Sequence, residues 1–557
     1  MHPRISLLRP LSVVLIVLAC SGSESTQPVP QNPTVASLTV DPTQVSVVPG
    51  QPQPLAAVAR DANGGIISAP AISWTSASNS IATVGADGRV TGVAMGNTTV
   101  TGRSGTATVD VPVTVTDGAY VTASGGSFTL LAGKLQLDFP ANAVTSPTIF
   151  TARTEAAPPA NARLLAATAV VVEPAASFGG AVRIRLAYST PLAADVVEPQ
   201  LRVARVVSGS WQESPVLVVD RTSRHVAGTI NGTGTIAVFV PPPSLRSYAQ
   251  LRGLDIGAAV DLPAMQDPIF LRVLTAEFNS VTPENAMKFG PIHPQPGTYA
   301  FANADTIMGL AAQNGMKVHG HVLLWHSQQP AWVMAATQTR TTLLAALKEH
   351  IETVVGRYAG RIATWDVANE MITDDGTGLR KSFWINVIGP DVIDSAFTWA
   401  RRRDPAAKLY LNDYGVEGIN RKSDSLFALA KRLKAAGIPI DGVGLQAHYT
   451  LAAPTFAQMS ANVARFAAEG FDVRFTELDV RLADGTDGLA AQANIYGNTM
   501  IACRVHPRCK AVTIWGVTDK FSWIPNHAPG FGRALPFDLN YLPKPAYNTI
   551  RAVLQAQ

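Results

Sequence analysis

Only three cysteines occur in the 557 residues, Cys20, Cys503 and Cys509. That is too few for a disulfide framework, so the fold has to rest on packed cores. Charge is scarce as well: 15% of residues are charged, against roughly 25% in an ordinary soluble domain. The formal net charge is only +4, and no stretch gathers basic residues into a face, so nucleic-acid binding has no footprint. The apolar run Leu11 to Ala19 is shorter than the ~20 residues a membrane-spanning helix needs. No pair of cysteines or histidines repeats the Cys503…Cys509 spacing, which removes the usual zinc clip.

What is present begins with an address. Arg4 and Arg9 precede the short apolar core, and Val17-Leu18-Ala19-Cys20 resembles a bacterial lipobox. Residues 1–20 are therefore read as a lipoprotein signal with Cys20 as the lipidated residue, and secretion after ordinary cleavage as the alternative. The protein is expected to be exported, at the outer membrane or cell surface or free outside, touching membrane only through that anchor. Residues 21–34, SGSESTQPVPQNPT, have the composition of a tether.

Residues 35–116 alternate short β-branched runs with Gly, Asn and Asp, the pattern of an antiparallel sandwich. Ile72-Ser73-Trp74, Ile81-Ala82-Thr83-Val84 and Gly88-Arg89-Val90-Thr91-Gly92 make this string similar to the bacterial immunoglobulin-like group 2 module. Trp74 is read as core. A second β-sandwich is expected over 117–243, whose GGSFTLLAGKLQLDFPANAV resembles a module of netrin receptors and ankyrins. Support is its default role, and Pro241-Pro242-Pro243-Ser244 closes it as a stiff boundary.

From 244 to 557 apolar strand-like runs alternate with amphipathic helical ones, as in βα units. The eight strand candidates are LDIGAAV, FNSVTPENAM, KVHGHVLLWH, IATWDVANE, KLYLNDYG, DGVGLQAHY, VRFTELDV and AVTIWGVTDKFSW. Eight units in about 300 residues fit one (β/α)₈ barrel, whose chemistry sits at the carboxyl ends of the strands. The fold class is thus multidomain: a TIM barrel preceded by two all-β sandwiches. Two of the tips carry glutamates, Glu370 and Glu477, and a carboxylate pair suits glycoside hydrolysis.

The motifs PENAMK (283–288), HVLLWHSQ (321–328), WDVANE (365–370), LNDY (411–414), GLQAH (444–448), TELD (476–479) and WGVTD through Ser522-Trp523 follow in order at barrel spacing. They make residues 251–554 resemble glycoside hydrolase family 10, the endo-β-1,4-xylanases. The resemblance implies Glu370 as acid/base and Glu477 as nucleophile of a retaining reaction. It also implies that His448 and Asp479 hold Glu477, and that Asn369 contacts the sugar 2-hydroxyl. Glu284, Asn285, Lys288, His321, Gln328 and Gln446 would meet sugar hydroxyls, while the indoles of Trp325, Trp515 and Trp523 would meet the apolar ring face. Phe289, Ala368 and Gly415 depart from the usual tryptophan, valine and asparagine. No metal or organic cofactor is called for, the expected partner is β-1,4-xylan or its oligosaccharides, and a monomer is expected. In an exported chain Cys503 and Cys509 read as a local disulfide. The competing readings are a β-1,4-glucanase of mixed specificity and a surface carbohydrate-binding protein without catalysis.

Overall fold

The computed structural model describes residues 34–193, 196–214 and 216–556. The signal, Cys20 and the tether as far as residue 33 lie outside the described residues. The chain divides into two compact units, Met1–Thr122 with Ser146–Thr151, and Ala123–Thr145 with Ala152–Gln557.

The first unit is all β. One sheet orders Val45–Val47, Ala107–Val115, Gly96–Ser104 and Ser73–Ser76, and another Pro52–Pro54, Arg89–Gly92 and Ala82–Val84. Alternation does the sorting: Val111, Val113 and Val115 are buried while Pro112 and Thr114 between them are exposed. Trp74 packs against this valine core, and its ring lies so close to Gly102 that a side chain there would collide with it.

The second unit begins with a β-rich part organised on two long antiparallel strands, Val170–Ala187 and His225–Phe239. The sequence reads the first as two runs, TAVVVEP and AVRIRLAYS. They are one strand, whose pairing shifts register between Val172 and Val182, where Pro174 and Gly179-Gly180 interrupt the ladder. The two halves of each long strand take different neighbours. Arg183–Leu186 take Leu135–Asp138, Ile236–Phe239 take Arg202–Arg205, and His225–Gly228 take Val216–Asp220.

The remainder is a closed barrel of parallel strands: β1 Asp255–Val260, β2 Ser280–Pro283, β3 Lys317–Leu324, β4 Thr364–Asn369, β5 Lys408–Asp413, β6 Gly442–Leu445, β7 Asp472–Val480 and β8 Cys509–Ile514. Neighbours pair in chain order, and β8 returns to β1 through Asp255↔Ala511 and Ala258↔Ile514. Every residue of β1, β2, β4 and β6 is buried, as strands covered on both faces must be. Three of the helices between them start at reciprocal side-chain caps. Thr339, Asn420 and Thr455 each form a capping box ahead of Arg340–Tyr358, Arg421–Ala435 and Phe456–Ala468, satisfying amides that would otherwise be orphaned. No helix among the described residues is long and apolar enough to cross a membrane.

Two features fix the barrel's foot, the end opposite the site. Arg246, 3% exposed, donates to the carbonyls of Thr275, Asn314 and Gly315 just ahead of β2 and β3, and Gln200 of the β-rich part donates to Thr275 as well. The β-rich part is therefore fastened at the amino ends of the strands. Cys503 and Cys509 are disulfide-bonded, tying the end of helix Leu489–Arg504 to the start of β8. Closing so short a loop stabilises by about 2 kcal/mol.

Candidate active site

A cleft of about 700 Å³ opens at the carboxyl ends of the strands. Glu370 is the first residue after β4 and Glu477 lies within β7. Glu370 has a left-handed backbone, φ +56°, a conformation disfavoured for a residue with a Cβ and typical of residues held for a purpose. Its amide donates to Asn412 O at 2.8 Å and its carbonyl accepts from Arg380 Nε at 3.0 Å, so the turn is pinned from both sides. Arg380 also reaches the Tyr414 hydroxyl at 2.8 Å.

Glu477 is almost fully enclosed, 4% exposed. Its Oε1 accepts from Asn412 Nδ2 at 2.7 Å and its Oε2 lies 3.3 Å from His448 Nε2. The other nitrogen of His448 sits 2.9 Å from Asp479 Oδ2, which also accepts from Trp523 Nε1 at 2.8 Å. Burial acts to lower the His448 pKa, but Asp479 and Glu477 outweigh it and lift it to about 10. Burial conversely acts to raise the Glu477 pKa, and the His448 hydrogen bond with the His321 and His448 charges outweighs it, leaving the carboxyl below its usual range. Glu477 is therefore ionised at neutral pH, facing an imidazolium.

Glu370 has a different shell. Gln446 Nε2 donates to its Oε1 at 3.2 Å and to Asn369 Oδ1 at 3.1 Å, while Asn369 Nδ2 stands 3.2 Å from the same Glu370 oxygen. His326 Nε2 is 3.7 Å from Glu370 Oε2, and burial holds its own pKa below the usual value despite that neighbour. Each of the two carboxylates thus has its own imidazole, one charged and one kept toward neutrality.

The other residues picked out from the sequence converge here. Glu284, Asn285, Lys288, His321, Trp325, Gln328, Gln446, Trp515 and Trp523 all line the cleft, with Asp479 buried behind it. Asn285 Oδ1 accepts from Lys288 at 3.2 Å and Gln328 at 3.3 Å, and the Lys288 ammonium lies 4.9 Å over the Trp325 ring. Burial, reinforced by Asp261, lifts the Glu284 pKa to about 7. Burial lowers that of Lys288 against the pull of the surrounding glutamates. Trp523 corrects one expectation: β8 ends at Ile514, and the run to Trp523 is not strand. The chain leaves the barrel through Gly516 (φ +128°) and a 3-10 turn at Asp519–Phe521, so Trp523 reaches the cleft from a loop.

Several groups had no role in the sequence reading. Asp366 lies buried between His319 and His321, 2.9 Å from a nitrogen of each. Burial would raise its pKa, and the two imidazoles more than reverse that. Asn412, Tyr414, Arg481 and His527 also belong to the site or its walls. Polar residues at every second position of an otherwise buried strand, His319 and His321 on β3, were the available signal. Among the described residues, His321, Asp366 and Glu477 form a group whose ligand atoms lie within 4.8 Å of one another. Asp366 Oδ2 already meets His321 Nδ1, and the two Glu477 oxygens meet Asn412 and His448.

Comparison with known proteins identifies the family. Residues 244–553 match the family model "Glycosyl hydrolase family 10". The chain belongs to this family. It is a glycoside hydrolase, and residues 34–118 match the bacterial Ig-like domain, group 2. Endo-1,4-beta-xylanase B of Thermotoga neapolitana is 39% identical over 319 residues, 56% of this chain and 91% of the relative. Endo-1,4-beta-xylanase D of Talaromyces funiculosus is 42% identical over 325 residues, 58% and 80% of the two chains. Among solved structures, xylanase 10B of Thermotoga petrophila RKU-1 in complex with xylobiose superimposes with a TM-score of 0.55 at 40% identity, covering 57% of this chain and 98% of that one.

Proposed function

We propose that this family 10 hydrolase is an endo-β-1,4-xylanase that cleaves internal xylosidic bonds of xylan with retention. The observation that carries the reading is the unequal pair: Glu477 ionised against His448 and Asp479, Glu370 bound only by amides and a weakly basic imidazole. Glu370 protonates the leaving oxygen, and Glu477 attacks the anomeric carbon to give a glycosyl-enzyme. Glu370, now a carboxylate, then activates the water that releases the sugar. Retention requires carboxyl groups about 5 to 5.5 Å apart; one hydrogen-bonded chain, Glu370–Gln446–Asn369–Asn412–Glu477, joins the two in the same cleft.

His448 and Asp479 keep the nucleophile charged and aimed. Asn369 retains amide capacity for the sugar 2-hydroxyl, a contact that strengthens as charge develops. Trp325, Trp515 and Trp523 supply flat apolar surface for the ring faces, and the relatives named for xylanase activity support xylan over other β-glycans. Export is part of the same reading: the Cys503–Cys509 bond suits an oxidising compartment, and Cys20 would carry the anchor. The test is hydrolysis of a xylan panel by wild type, Glu370→Ala and Glu477→Ala. Both variants should lose nearly all polymer cleavage, and azide should rescue Glu370→Ala on an aryl xylobioside as the β-glycosyl azide. Retained xylan cleavage in Glu477→Ala, or cellobioside turned over faster than xylobioside by wild type, would overturn it.

A further inference from the structure

The partners of both carboxylates hang on one tripeptide. Gln446 binds Glu370 and His448 binds Glu477, and between them Ala447 has φ +66°, a region that a residue with a Cβ avoids unless its surroundings impose it. Two bonds impose it here. Ala447 O accepts from Asp479 N at 3.3 Å, and Ala447 N donates to Glu417 Oε1 at 2.8 Å.

Glu417 lies on the loop after β5, 3% exposed, and does not line the cleft. The loop is fixed in turn by Asn462, whose Nδ2 donates to Val416 O at 2.7 Å and Glu417 O at 3.3 Å. A carboxylate so enclosed is costly unless something needs its acceptor. The groups facing it are the Ala447 amide, its own backbone amide, the His448 and Lys422 charges, and Tyr449. Only the Ala447 amide is a backbone group of the strap that carries both Gln446 and His448.

We propose that Glu417 is a positioning residue for catalysis, clamping the Ala447 amide so that Gln446 and His448 diverge onto the two opposed carboxylates. Without the clamp, Ala447 relaxes out of the left-handed region and the neighbouring side chains turn with it. The inference rests on the roles given above to Glu370 and Glu477. Wild-type turnover and the Glu477→Ala control test those roles independently of any change at Glu417.

The experiment measures the pH dependence of kcat/KM, with kcat and KM separately, for the full chain on 4-nitrophenyl β-xylobioside. Glu417→Ala should lose about tenfold or more in kcat with KM changed less than about threefold, the pattern of a lost transition-state contact. Its acid limb should move up by about one unit, because Glu477 loses the imidazolium that keeps it ionised. Glu417→Gln keeps an acceptor oxygen and should restore both the rate and the limb. Glu417→Asp, one methylene short of the amide, should behave as the alanine variant and replaces it if that one fails to fold. A folded Glu417→Ala or Glu417→Asp with the wild-type pH profile, or a Glu417→Gln as impaired as Glu417→Ala, would overturn the proposal.

Discussion

Asn412 Nδ2 stands 2.7 Å from Glu477 Oε1 and 2.9 Å from Asn369 Oδ1. One amide on β5 therefore joins the tip of β7 to the tip of β4. Its oxygen is held by Thr476 Oγ1 at 2.7 Å, which fixes the amide so that both hydrogens point at the site.

That relationship gives the first prediction. Asn412→Ala removes a hydrogen bond to a charged group, worth about 1.5–3 kcal/mol, so kcat on an aryl xylobioside should fall about 10- to 100-fold. Asn412→Asp sets a second carboxylate against Glu477 and should raise the acid limb of the pH–rate profile. A limb left in place would mean that Asn412 does not act on Glu477.

His448 should mark the alkaline side. Its pKa is about 10 in the folded protein against about 6.5 in the unfolded chain. A raised pKa contributes stability that is complete below the unfolded value and disappears as pH rises through the folded one. Thermal melts of wild type should show Tm declining from about pH 7 to 10, and His448→Gln, whatever its absolute Tm, should decline less. Parallel curves would contradict an imidazolium at this position.

The acid side should report a different pair. His293 and His350 are wholly buried beside Phe289, with the His350 ring stacked 3.8 Å from that phenyl group. Burial depresses both pKa values, that of His350 strongly. Below the unfolded pKa of about 6.5 the unfolded chain takes up protons that the native one refuses, so stability falls as pH drops. His350→Phe keeps a ring on Phe289 and should lose less Tm than wild type between about pH 7 and 5.5. Equal losses would show that His350 is not buried neutral.

Much of this was legible in the residues. Runs such as TWDVAN and VRFTELDV read correctly as buried strands with chemistry at their ends, because strands covered on both faces cannot carry a polar side chain casually. The alternation of Ala107–Val115 likewise gave the first sandwich. What escaped is contact between strands far apart in the chain. Asn412, Asp366 and Glu417 act on residues 30 to 65 positions away, on other strands and loops, and no local pattern announces that. Trp523 reads as part of a strand because the aromatic and β-branched residues of β8 continue into the loop that follows it. The long strand Val170–Ala187 reads as two runs because Pro174 and Gly179-Gly180 interrupt it, where the ladder only shifts register. The left-handed backbone of Glu370 and Ala447 is invisible in residue types that ordinarily avoid it.

In the proposed mechanism Glu477 becomes covalently bonded to the sugar while Glu370 handles the proton. Incubating the wild-type chain with a 2-deoxy-2-fluoro aryl xylobioside, then digesting it and mapping the label by mass spectrometry, tests that most directly. Time-dependent inactivation is expected, with the fluoroxylobiosyl group on the peptide containing Glu477. A label on Glu370, or no label together with release of the α-anomer from the natural substrate, would contradict that mechanism.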